Sequence, residues 1–180
     1  GSTFTYNDVI LPSLIGSDIG CGIVTVKLNT KRIELGQLDS VIRENLVAKK
    51  RIDGIISKHQ DNVNLSNLHS SKKVDIDRCY SKIGELGGGN HFIELQKDED
   101  DNLWIMIHSG SRNLGKRVGD YYNKMAQMLN ERWHSVVPSK IRLSFFPRGT
   151  KEFGNYWDEM KYCVDFALCN RKLMMHRIEE

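Results

Sequence analysis

At 180 residues and 39% apolar content, the chain can bury one sizeable core and reads as a single domain over residues 1–180. Its 26 Lys+Arg stand against 23 Asp+Glu, and the net charge of +3 neither demands nor excludes a nucleic-acid partner. No apolar run approaches the length of a membrane span, and no charged-then-apolar signal segment opens the chain, so no membrane partner and a cytoplasmic location are expected.

In chain order, Ile23 to Leu28 is a β-branched run between Gly22 and Asn29 and predicts a strand. Apolar residues at 35, 38, 41, 42 and 46 predict a helix from Leu35 to about Lys49. Ser57 to Ser71 is polar and aperiodic, a loop. Val74 to Leu86 suits a helix that stops at the run Gly87-Gly88-Gly89. Two apolar runs, 91–97 and 103–108, flank the polar Asp98-Glu99-Asp100-Asp101-Asn102, the pattern of an antiparallel hairpin. If 97 closes onto 103, residue 92 faces 108 and 91 faces 109. His91 and His108 then meet at the open end of the hairpin. A long amphipathic helix is expected from Arg112 to Trp133, and a second from about Tyr156 to Ile178, joined by a turn-rich connection. The helical pattern still runs at Arg177-Ile178-Glu179-Glu180, which reads as part of a longer polypeptide. The fold class is α+β: a mixed or antiparallel sheet with the motif loops at one end and helices outside.

The chemistry concentrates at three places. Asp18-Ile19-Gly20-Cys21-Gly22 sets a carboxylate and a thiol three residues apart between glycines. Four cysteines without a CxxC pair read as free thiols, and Cys21 stands out through its neighbours. Asp18, Cys21, His91 and His108 together offer a carboxylate, a thiolate and two imidazoles, a donor set for zinc first and manganese next. Asn90, Phe92 and Glu94 share one strand face by period two. They are either the outward side of a half-exposed strand or a second pocket wall, with a carboxylate for a guanine edge and an amide for phosphate. Ser109-Gly110-Ser111-Arg112 opens the long helix as an N-cap, where backbone N–H groups favour an anion. Arg112 adds a forked phosphate donor. His59, His69, His134 and His176 lie outside this set and read as solvated or packing residues.

These residues resemble the RtcB family of RNA-splicing ligases. The likeness rests on Asp18-Ile19-Gly20-Cys21-Gly22, on Gly88-Gly89-Asn90-His91-Phe92-Ile93-Glu94 and on His108-Ser109-Gly110-Ser111-Arg112-Asn113-Leu114-Gly115. Tyr156-Trp157-Asp158-Glu159-Met160 and Asn170-Arg171 extend it along the last helix. The resemblance implies GTP-dependent joining of RNA ends bearing a 2′,3′-cyclic phosphate or 3′-phosphate to 5′-hydroxyl ends, as in tRNA halves or broken RNA. It implies two manganese ions, with zinc as a substitute. Asp18, Cys21, His91 and His108 fall on metal positions, Asn90, Phe92 and Glu94 on the GTP pocket, and Arg112 on an RNA-phosphate position. The family's guanylylated histidine and one further metal histidine have no counterpart here, so no catalytic nucleophile is assigned and the chain alone is expected to be inactive. The alternatives are a metal- and RNA-binding fragment without catalysis, or a metal-dependent phosphoesterase.

Overall fold

A computed structural model describes residues 3, 5, 7–47, 68–70 and 76–179. Its elements in order are β1 (Val9–Ile10), α1 (Pro12–Ile15), β2 (Gly22–Lys27), α2 (Leu35–Ile42, continued as a π turn over Arg43–Val47), α3 (Ile76–Tyr80), β3 (Phe92–Lys97), β4 (Leu103–Ser109), α4 (Leu114–Arg132), β5 (Phe146–Pro147) and α5 (Lys151–Glu179). No described helix is long and apolar enough to cross a membrane.

Helices and antiparallel strands make this an α+β structure. β2, β4 and β3 form one sheet in that order, and β1 pairs with β5 in a small second one. The hairpin has the register read from its loop, with Lys97 opposite Leu103 and Phe92 opposite His108. β2 completes the sheet by placing Ile23 on the other side of His108. Period-two alternation then sorts the faces. Leu103, Ile105, Ile107 and Ser109 of β4 are buried, while Trp104, Met106 and His108 look to the open side.

Two apolar clusters hold the molecule together. One gathers Val118, Tyr122 and Ala126 of α4, Phe146 of β5, and Tyr156, Cys163 and Phe166 of α5. The other places Met174 and Met175 of α5 against Ile105 and Ile107, with Leu46 beside them. α5 therefore runs through both, and the segment between Phe166 and Met174 passes directly behind one end of the sheet.

Several helix limits differ from the sequence reading. The helix expected over 35–49 is α-helical over Leu35–Ile42 and widens to a π turn over Arg43–Val47, and residues 48–49 lie outside the described residues. Of the one expected over 74–86, residues 74–75 lie outside the described residues, Ile76–Tyr80 is helical, and the rest is not, with positive-φ Gly84 in it. α4 begins at Leu114, because Arg112 and Asn113 adopt left-handed φ of 53° and 70°. α5 begins at Lys151, where Thr150 Oγ1 accepts from the Phe153 amide at 3.2 Å as an N-cap. Of the loop expected over 57–71, only 68–70 lies among the described residues, and His59 lies outside them.

Candidate metal centre

The end of the sheet nearest α5 gathers the side chains that sequence spacing singled out. Cys21 stands immediately before β2 and His91 immediately before β3, while His108 is near the end of β4. Antiparallel pairing on both sides of β4 brings them together across 70 and 87 residues of chain. Cys21 Sγ lies 3.0 Å from His108 Nε2 and 3.7 Å from His91 Nε2. The two rings sit 5.5 Å apart, inclined at 74°. Asp18 Oδ2 is 3.7 Å from His91 Nε2. Asp18, Cys21 and His91 each present one ligand atom within 4.8 Å of the others. His108 meets this trio through the sulfur, which touches both imidazoles.

Backbone carbonyls orient both rings. His91 Nδ1 is 3.0 Å from the Leu86 carbonyl and His108 Nδ1 is 3.0 Å from the Asn90 carbonyl. A carbonyl can only accept, so each Nδ1 carries the proton and each Nε2 lone pair is free to face the thiol. This is the usual way a metal-binding imidazole is held in one tautomer. Without an ion, the Cys21 S–H can donate to His108 Nε2. Burial, then the Asp18 carboxylate, pushes the Cys21 thiol up, while the Arg171 guanidinium opposes the shift. Asp18 is held close to the backbone of the third motif: a Cβ on Gly110 would lie 2.7 Å from Asp18 Oδ2. Ser111 Oγ reaches Asp18 Oδ1 at 3.5 Å and accepts from the Gly115 amide at 2.7 Å in the first turn of α4, although the N-cap position itself is Asn113 and not one of the residues expected there.

The remaining named residues flank this cluster. Phe92 packs edge-on to His108, with centroids 5.3 Å apart, on the open face of the sheet. Glu94 shares that face and is exposed, opposite Met106. Asn90 precedes the strand in a turn and offers its carbonyl to His108, with its side chain exposed. Arg112 donates from Nη2 to Glu85 Oε2 at 3.0 Å and from Nε to the Lys82 carbonyl at 3.0 Å. It lines a cleft of about 530 Å³ together with Asp18, His91, Lys82 and Lys116. His69, His134 and His176 are exposed and stand apart from the cluster. Sequence spacing gave no sign of Glu85 as the partner of Arg112, nor of the Leu86 and Asn90 carbonyls that hold the rings. The carbonyls belong to the backbone, and side-chain identity cannot reveal them.

Comparison with known proteins places the chain in a family. The chain is 29% identical to the RNA-splicing ligase RtcB1 of Escherichia coli (strain ATCC 25922), over 99% of its own length and 48% of the relative's. It is also 29% identical to RNA-splicing ligase RtcB of Escherichia coli strain K12, with the same coverage. With tRNA-splicing ligase RtcB of Thermococcus kodakarensis it shares 25% identity over 96% of this chain and 46% of the relative. The chain thus spans about half the length of the curated relatives it matches. The model of the family described as tRNA-splicing ligase RtcB matches residues 42–180. This chain belongs to the tRNA-splicing ligase RtcB family.

Proposed function

We propose that this chain supplies the metal-binding part of an RNA ligase that joins a 3′-phosphate or 2′,3′-cyclic-phosphate RNA end to a 5′-hydroxyl end, with GTP and manganese. The observation that carries the reading is the convergence of Asp18, Cys21 and His91 within 4.8 Å, with His108 3.0 Å from the same sulfur. Mixed carboxylate, thiolate and imidazole donors fit a borderline divalent ion, and both imidazoles already turn Nε2 toward it. A divalent metal held there would offset the charge that develops on a transferring phosphoryl group.

The chain's own residues would divide the remaining work. Asp18, Cys21, His91 and His108 would hold the divalent metal, with Cys21, which touches both imidazoles, as the donor common to the group. Phe92 and Glu94, on the open sheet face beside His108, would flank the guanylate, the ring by stacking and the carboxylate by accepting from a base edge. Asn90 would add an amide contact to phosphate. Arg112, Lys82 and Lys116 would bind the RNA backbone in the cleft that reaches Asp18 and His91. Arg112 is held by Glu85, so its guanidinium is already oriented.

The test uses labelled GTP and manganese with this chain and with its natural full-length protein. The full-length protein is expected to take the label on a histidine outside residues 1–180 and to join 3′-phosphate to 5′-hydroxyl RNA. The 180-residue chain is expected to take none. A full-length protein that neither takes label nor joins ends would overturn the ligase reading.

A further inference from the structure

The pair Asn170-Arg171, midway along α5, is buried, Asn170 at 0% and Arg171 at 6% exposure. Its contacts go to the loops and the strand end that carry the four donor residues. Arg171 Nη1 donates to the Gly20 carbonyl at 2.8 Å and to the Ser109 carbonyl at 2.8 Å, tying the residue before Cys21 to the residue after His108. Asn170 Nδ2 donates to Ser109 Oγ at 3.1 Å and to the Gly110 carbonyl at 3.2 Å. Its Oδ1 accepts from the Gly84 amide at 2.6 Å, at the start of the glycine-rich loop. Ser109 Oγ in turn donates to the Leu86 carbonyl at 2.8 Å, the same oxygen that accepts from His91 Nδ1. A continuous hydrogen-bonded path therefore runs from Asn170 through Ser109 and Leu86 to His91.

The local sequence leaves room for this packing. A Cβ on Gly22 would lie 3.2 Å from the Arg171 guanidinium, and one on Gly20 would lie 2.7 Å from the Cys163 carbonyl of α5. Among the described residues Arg171 has no carboxylate within ion-pair distance, and Nη1 donates to backbone carbonyls. A buried guanidinium spent on one loop carbonyl and one strand-end carbonyl is an expensive way to secure a fold, which a well-packed apolar side chain could serve as well. It is a specific way to fix the loop before β2 relative to the end of β4.

We propose that Asn170 and Arg171 are positioning residues for the metal centre. Arg171 sets the Cys21 side against β4, and Asn170 sets the His91 side through Ser109 and Leu86. What they position rests on the metal reading above, but the mechanical coupling of the loops does not.

Two measurements on the 180-residue chain separate these claims. The first is amide hydrogen exchange without metal, on Arg171→Met, Arg171→Lys and Asn170→Ala. Arg171→Met should speed exchange over 18–22 and Asn170→Ala over 84–91, each about tenfold or more, while the β1–β5 pair stays as in the unmodified chain. Arg171→Lys, whose ammonium can still donate to a loop carbonyl, should recover part of the protection, and it carries the test if Arg171→Met fails to fold. Leu173→Ala, a buried core change one turn away, should lower the melting temperature without this local pattern. The second measurement is cobalt(II) titration followed by the thiolate-to-cobalt absorption band. Arg171→Met and Asn170→Ala should weaken cobalt binding by about 10–100-fold, as loss of residues that orient ligands does elsewhere. Unchanged exchange over both loops in the Arg171 and Asn170 variants, or equal loosening in Leu173→Ala, overturns the positioning role. Loosened loops in a chain that shows no thiolate band would leave that role standing and refute the metal reading instead.

Discussion

At one end of the three-stranded sheet, Asp98 accepts from the Asp100 amide at 3.0 Å, the Asn102 amide at 2.8 Å, Asn102 Nδ2 at 2.9 Å and Trp104 Nε1 at 2.9 Å. At the other end, Cys21, His91, His108 and Asp18 have only one contact among themselves as short as 3.0 Å, from the thiol to one imidazole. Both ends are polar, loop-borne and stabilised by backbone. They differ in what is left over. The Asp98 turn satisfies its carboxylate internally and needs no partner. The Cys21 end uses backbone to hold the Nδ1 atoms and leaves two Nε2 lone pairs, a sulfur and a carboxylate oxygen turned toward one small volume. A polar cluster whose acceptors are already filled is structural, whereas one whose acceptors converge unfilled has capacity for a cation.

The comparison breaks first on metal response. Manganese or zinc at about 100 times its dissociation constant should stabilise the chain by ~2.7 kcal/mol. Cys21→Ala, His91→Ala and His108→Ala should each abolish most of that gain in thermal unfolding, and Asp98→Ala should leave it intact. Equal response in all four variants would place the ion elsewhere. A smaller effect is expected from Gly110→Ala, which forces Asp18 away from its position. Metal affinity measured by calorimetry should drop by about 10-fold, the low end for a disturbed ligand support. Nucleic-acid binding should respond more weakly still. Arg112→Gln should weaken binding of single-stranded RNA and lower the slope of log affinity against log salt by about 0.7, the loss of one phosphate contact on a single strand. An unchanged slope would remove Arg112 from the RNA path.

The smallest effect belongs to the opposite end. Hydrogen bonds from the Trp104 indole and the Asn102 amide group hold the Asp98 carboxyl down at about 2, below the ordinary value of 3.8. A depressed folded value means the contribution is fully present above the ordinary value and is lost as pH falls through the folded one. Asp98→Asn should therefore flatten the acid dependence of melting temperature between about pH 4 and pH 2, and change nothing near neutrality in the metal response. A wild-type acid profile in that variant would contradict the assignment.

Part of this arrangement was legible in the chain. The hairpin register followed from the polar run 98–102 between two apolar segments, and it correctly brought His91 and His108 to one end. That Cys21 joins them was expected from its donor chemistry and the family resemblance, and spacing alone did not give it. That depends on β2 pairing with β4 so that Ile23 meets His108, a contact across a long stretch of chain that no local pattern encodes. The α2 helix failed in its last turn, where the periodic apolar positions continue but the backbone widens to a π turn. The start of α5 was missed although Thr150 carries a cap signal, because the apolar periodicity strengthens only from Tyr156. Asn170-Arg171 was visible as a motif, but its partners are mainly carbonyls and amides, so its connections emerge only from the fold.

The most direct measurement is a crystal of this chain grown or soaked with manganese, with data collected to reveal the metal's anomalous scattering. The account predicts a peak among Asp18, Cys21 and His91, with the Cys21 sulfur within bonding distance and both imidazoles keeping their Nδ1 contacts to Leu86 and Asn90. A peak only on exposed carboxylates, or none at a manganese concentration that shifts the melting temperature, would contradict it.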